Sequence, residues 1–233
     1  MRMRLAVSLM VVGMGLEGVA GAQEIDEKLM REVSMVREAV ARSNEGLRQY
    51  LWVEETVVTV KGKEKSSTSL LCKYDSFGAL QKVPVSAEEA AKGASAISKR
   101  PMVRKKAEGE DYIERAISMI ASYVPPKPDH MDTLLRAGFA YMGQAVAGKA
   151  QIGFKRYLQD GDTLIFTYDT NSKALTGITV RSTLGSAKDV VTMDAVFAVL
   201  PDGTNHLAAT TLTAPAKKIV VTTKNSSYQK VAK

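Results

Sequence analysis

QIGFKRYLQDGDTLIFTYDTNSKALTGITVRSTL, residues 151–184, decides the fold. Three runs rich in β-branched and aromatic residues, Gln151 to Leu158, Thr163 to Asp169 and Ala174 to Leu184, are separated only by Asp160-Gly161 and Asn171-Ser172-Lys173. Gly, Asn and Asp accept the backbone angles of tight turns, so gaps this short join antiparallel neighbours. A parallel crossover needs a dozen residues or more. The same pattern continues toward the C-terminus through Val190 to Val199, Leu207 to Ala214 and Lys218 to Lys224, with Pro201-Asp202-Gly203 and Ala214-Pro215 as punctuation. Upstream, Tyr50 to Val60, Ser67 to Tyr74 and Leu80 to Val85 form a three-stranded meander around Gly62 and the Asp75-Ser76-Phe77-Gly78 turn. The pattern predicts about nine antiparallel strands.

The helices come in blocks. Ile25, Leu29, Val33, Val36 and Val40 recur at the spacing of one helix face between Glu24 and Leu47. Ser86-Ala87-Glu88-Glu89 has the form of a capping box and opens an Ala-rich segment that stops at Lys99-Arg100-Pro101. Tyr112, Ile113, Ala116, Ile117, Ile120, Tyr123 and Val124 form an apolar stripe at helical spacing and predict a further helix ended by Pro125-Pro126-Lys127-Pro128. Asp129 is expected to cap another, whose buried side runs Met131, Leu134, Leu135, Gly138, Phe139 and Met142. Helices grouped beside an antiparallel sheet make an α+β fold. Nine strands must twist and curl. The expectation is therefore one domain over residues 23–233, a large curved antiparallel sheet with helices covering the concave face. Residues 99–109 are its connector.

The N-terminus reads as a secretory signal: Arg2 and Arg4, an apolar run from Leu5 to Leu16, and Ala20-Gly21-Ala22 before Gln23. The run is too short to span a bilayer, which takes about 20 apolar residues. Cleavage after Ala22 predicts a periplasmic or secreted product. The chain carries a formal net charge of +7, which outside the cytoplasm suits an anionic membrane surface or an envelope protein as partner. Export, and the lack of aromatic residues among Lys99, Arg100, Arg104, Lys105 and Lys106, argue against nucleic acid. Those five cations read either as a solvated loop or as a docking patch. The single Cys72 cannot form an intramolecular disulfide, and its place in an apolar strand predicts a buried thiol.

Chemistry is sparse. His130 and His206 are the two histidines, each expected to be exposed, and no nucleophile elbow, zinc-ligand spacing or phosphate-cradling loop accompanies them. No catalytic residue, metal or cofactor is expected. Glu54 and Glu55 are adjacent in a strand, so their carboxylates point to opposite faces and cannot converge on one atom. Glu54 shares a face with Tyr50 and Trp52, and reads either as an edge-strand charge or as a polar anchor at a cavity mouth. Asn225-Ser226-Ser227 matches a glycosylation acceptor.

Phe154 alternates with Ile152 and Leu158, Phe166 with Leu164 and Tyr168, and Phe197 with Met193 and Val199. Each set lines one face of its strand, as core or as the wall of an apolar cavity. Three features together resemble the LolA/LolB superfamily of envelope lipoprotein carriers. They are the signal and amphipathic helix leading into Tyr50-Leu51-Trp52, the segment from Asp160 to Asp169, and the succession of hairpins ending the chain. The resemblance implies a half-barrel holding a lipid or a lipoprotein acyl chain beneath a helical lid. Two functional readings stand. One is a non-enzymatic envelope protein binding an apolar ligand, with Trp52, Phe154, Phe166 and Phe197 as lining residues. The other is an interaction or scaffold protein with a filled core that docks through Lys99, Arg100, Arg104, Lys105 and Lys106.

Overall fold

The apolar stripe of the first helix and the strand alternation that follows it need each other, because neither can bury its hydrophobic side alone. The computed structural model describes residues 17–85, 108–124, 126–144 and 146–231, with side chains from residue 27 in the first stretch and from 111 in the second. Helix α1 spans Glu17–Leu47, so the expected cleavage junction after Ala22 falls within it. Strands β1 (Tyr50–Val60), β2 (Lys63–Tyr74) and β3 (Leu80–Pro84) follow as the meander. Helices α2 (Glu108–Ala121) and α3 (Pro128–Arg136) precede β4 (Ala140–Met142), β5 (Lys149–Lys155), β6 (Thr163–Asp169) and β7 (Leu175–Thr183). Strands β8 (Val190–Val199), β9 (Asn205–Ala214) and β10 (Ile219–Lys230) complete the chain. Among the described residues, no helix is long and apolar enough to cross a membrane.

The strands form one open sheet in the order β3-β2-β1-β10-β9-β8-β7-β6-β5-β4. Every pairing is antiparallel. Two meanders are joined where β1 pairs with β10, and the stretch carrying α2 and α3 connects the two outer edges. The turn between β1 and β2 puts Lys61 and Gly62 both at positive φ, the two-residue geometry that matches strand twist. This tight turn lets pairing start at Lys63, four residues before the strand expected from composition.

One face of the sheet carries the core. Ile152 and Phe154 of β5, Leu164 and Phe166 of β6, Val180 of β7 and Val191 of β8 are at most 1 % exposed. They cluster with Leu29, Val33 and Val36 of α1, Tyr112, Ala116 and Ile120 of α2, and Met131 and Leu134 of α3. Each such buried aliphatic contributes roughly 1.5–3 kcal/mol relative to exposure. Polar bonds then fix how the helices sit. Tyr168 donates to Glu32 (2.6 Å), Tyr112 to Asp189 (2.5 Å), and Arg37 of α1 reaches both carboxylate oxygens of Asp132 in α3.

The strand count is ten among the described residues, and the extra strand comes from a segment the apolar spacing assigned to a helix. Helix α3 stops at Arg136 because Gly138 takes φ 75°, while its N–H donates to Leu135 and the Phe139 N–H to Leu134. That double bond closes the helix end. Ala140–Met142 is thereby freed to pair with β5. Nor is Asp129 the cap: Lys127 occupies that position, Pro128 opens the helix, and Asp129 lies in its first turn. Leu158 also leaves the face of Phe154, because β5 ends at Lys155 and Arg156 turns to φ 55°. The Ala-rich segment after Ser86 lies outside the described residues.

Candidate functional site

The sheet is filled on one side and hollow on the other. Beneath β5 to β8 the inner face meets the three helices, but toward β1 and β2 the C-terminal turns of α1 stand off it. A cavity of about 410 Å³ remains, within the range of small-ligand sites. Its walls include Val40 and Leu47 of α1, Trp52 of β1, Tyr74 of β2, Leu80 of β3, Phe197 of β8 and Leu207 of β9. Gly46 sets how close the helix comes, since a methyl there would lie 2.7 Å from the Thr204 side chain.

Two bulges aim the lining. Between β1 and β10, Leu51 pairs with Gln229 and Val53 with Ser226, so Trp52 faces two residues, Ser227 and Tyr228. Ser227 takes φ 55° to absorb the extra residue. The added step moves Tyr228 to the face of Asn225 and Trp52. Tyr228 stacks on the indole with centroids 5.7 Å apart and planes 14° apart, and Tyr74 lies 5.7 Å from the indole. The Trp52 Nε1 donates to Asn225 Oδ1 (3.1 Å). Between β8 and β9 the pairing steps from Val196–Ala209 to Phe197–Leu207, which turns Leu207 and Asn205 to the side of Leu212.

Polar groups are few and placed. Glu54 is held by Lys82 of β3 at 2.6 and 2.8 Å. Strand β1 is interior, between β2 and β10, so the edge-charge reading of Glu54 fails and the carboxylate lines the cavity. His206 is 7 % exposed rather than a surface residue, because Tyr228 covers it at 4.2 Å. His130 is likewise engaged, its Nε2 against the Tyr157 carbonyl and its ring edge-on to Tyr157. Arg48 lies at the cavity wall with its guanidinium against Gly78. Burial pushes the Tyr228 phenol well above its ordinary range and raises Tyr74, while burial and then the Glu54 charge raise Cys72. The two lining phenols, Tyr74 and Tyr228, are uncharged at neutral pH, and Cys72 lies outside the wall. Cys72 is fully buried.

Of the four expected lining residues, the structure brings Trp52 and Phe197 to the cavity wall. Phe154 and Phe166 it places in the filled half, edge to face at 6.1 Å and with no exposure. Lys99, Arg100, Arg104, Lys105 and Lys106 lie outside the described residues. Tyr74, Asn205, His206 and Tyr228 escaped sequence reading. Alternation assigns a residue its face only while the register is unbroken, and the bulges lie beside Asn205, His206 and Tyr228, whereas Tyr74 keeps the alternation of Cys72 and reaches the cavity by its place beside Trp52. Asn225, which matches a glycosylation acceptor, has its side-chain oxygen engaged by Trp52. Among the described residues no three metal-binding side chains cluster.

No protein-family profile and no curated protein matches the chain. Solved structures similar to it include a DUF1329 family protein from Desulfovibrio piger, at 7 % identity, TM-score 0.43, covering 87 % of this chain and 92 % of that one. Another is an outer membrane lipoprotein-sorting protein domain from Vibrio parahaemolyticus, at 8 % identity, TM-score 0.44, covering 87 % and 93 %.

Proposed function

We propose that the chain is an exported, non-enzymatic binding protein of the bacterial envelope that holds a lipid or another apolar ligand under the C-terminal half of α1. The observation carrying this reading is the roughly 410 Å³ cavity, walled by Trp52, Tyr74, Phe197, Leu207 and Tyr228, its surface mostly apolar with Ser43, Asn44 and Asn225 adding polar atoms. Sites of this class combine a mostly apolar wall with a small number of positioned polar atoms, here Arg48, Asn205, His206 and the Glu54–Lys82 pair. The N-terminal Arg2 to Ala22 pattern supports export, and a lipid or lipoprotein acyl chain is the ligand class this location supplies.

Trp52 is the single tryptophan of the chain and sits in the cavity wall, so its emission reports occupancy directly. Titration with a twelve-carbon fatty acid is expected to change that emission saturably, and native mass spectrometry of protein from its host envelope to show co-purified lipid. Unchanged emission together with lipid-free spectra would refute the reading. Export is tested separately: the mature N-terminus is expected at Gln23, and an intact leader on the isolated protein contradicts it.

A further inference from the structure

Asn205 is the one residue among the described ones with a buried side-chain atom that lacks a hydrogen-bond partner. It is 8 % exposed, and its Nδ2 donates to the Leu175 carbonyl at 2.8 Å. That bond fixes the amide's orientation, since the reverse would set two oxygens against each other. The acceptor Oδ1 is then left buried and unsatisfied, a state that native structures tolerate rarely and that calls for an explanation.

Its position supplies one. Asn205 and Ser43 line the apolar cavity and also a second, polar groove of about 260 Å³. The groove holds Arg42, Lys173 and Asp202; Asp202 is already engaged by Tyr50 (2.6 Å) and Lys230 (3.0 Å), and Arg42 faces Glu38 in an exposed pair at 3.7 Å. Asn205 therefore stands where the apolar cavity and the polar groove adjoin. A buried acceptor without a partner at this point selects a ligand donor.

We propose that the ligand is a single-chain amphiphile that donates a hydroxyl or amide N–H to Asn205 Oδ1 at the point where its apolar chain meets its polar head. The inference rests on the cavity reading above and adds the chemistry of the ligand's junction. A site built to pair a donor discriminates strongly against an analogue lacking it, because the buried acceptor is then stranded.

Two matched pairs test it on the exported protein, with affinity read from Trp52 emission. N-lauroylglycine and N-lauroylsarcosine differ by one N–H against N–CH₃, and monolauroylglycerol and its dimethyl ether by hydroxyls against ethers. The donor-bearing member of at least one pair is expected to bind about tenfold tighter or more. In Asn205→Ala the preference is expected to collapse to about twofold or less through weaker binding of the donor-bearing member alone. Equal binding within both pairs, as a water on Oδ1 would produce, overturns the inference while leaving the cavity reading intact. A preference that survives in Asn205→Ala overturns the role of Asn205. Failure of all four to bind while the twelve-carbon fatty acid binds overturns the inference, and failure of the fatty acid as well counts against the cavity reading itself. Should Asn205→Ala fail to fold, the wild-type ratios decide alone.

Discussion

Asp162 shows how much one residue can organise in this chain. Its carboxylate is 1 % exposed and accepts the Tyr123 hydroxyl (2.6 Å) and the backbone N–H groups of Tyr157 (2.5 Å), Leu158 (2.8 Å) and Gln159 (2.9 Å). Ser182 extends the network to Tyr123 and Gln159 at 2.8 Å each. Asp162→Ala strands these donors together, so it is expected to cost about 3 kcal/mol or more in urea unfolding, against about 1 kcal/mol for Tyr123→Phe. Equal effects would mean that the backbone donors find water. The tyrosines give a pH prediction. Burial and then Asp189 push Tyr112 up to about 12, while burial raises Tyr123, Tyr168 and Tyr228 further, helped by Asp162 and Glu32 at the first two. A phenol whose folded value exceeds the unfolded 10.0 stabilises the fold fully below pH 10, and that contribution is lost as pH rises toward and past 12. Ultraviolet titration is therefore expected to show these four of the eight tyrosines ionising only as circular dichroism is lost. Eight tyrosines titrating near pH 10 in an intact fold would contradict their burial.

At the scale of elements, the bulges and the short edge strand carry the predictions. Ser227 holds a left-handed backbone conformation that costs a β-branched residue about 1–2 kcal/mol. Ser227→Val is expected to lose stability and to alter Trp52 emission by unstacking Tyr228, whereas Ser227→Gly, free of the Cβ penalty, is expected to be at least as stable and to keep the emission. An emission spectrum unchanged in Ser227→Val would show that the bulge does not position Tyr228. In β5, Gly153 lies directly opposite Tyr141 of β4, whose ring covers it so closely that a methyl at 153 would overlap the ring. Gly153→Ala is expected to destabilise by about 1–3 kcal/mol. Most of that should be relieved in the double variant with Tyr141→Ala, which a double-mutant cycle measures as coupling. Additive losses would place the strain elsewhere. Such features explain why some elements were legible and others not. Strands β6 and β8 fall where alternation put them, Thr163–Asp169 and Val190–Val199. Ala140–Met142 does not, because its apolar spacing fits a helix as well as a strand and only the turn at Gly138 separates the two.

Across the whole molecule, packing is uneven. The β5–β8 half shares a dense core with three helices, whereas β3 is exposed along most of its length and β2 buries only Cys72 fully. Local opening tracks the number of buried apolar contacts. Hydrogen exchange is expected to protect β6 and β7 most and to release β2 and β3 first, and occupancy of the cavity by a fatty acid is expected to slow exchange in β2 around Tyr74. Uniform protection would mean that the cavity half is as rigid as the core. By itself the sequence determined the antiparallel α+β class, the long inward-facing helix and the burial of Cys72, because turn chemistry and hydrophobic period act over a few residues and leave a local record. Which aromatic residues fill and which surround a void was decided only by the tertiary structure. Phe154 and Phe197 stand in similar alternating strands, and what separates them is that helix packing closes over one and stops short of the other. Register, bulge position and helix stand-off are relations between distant segments, and no short-range pattern encodes them.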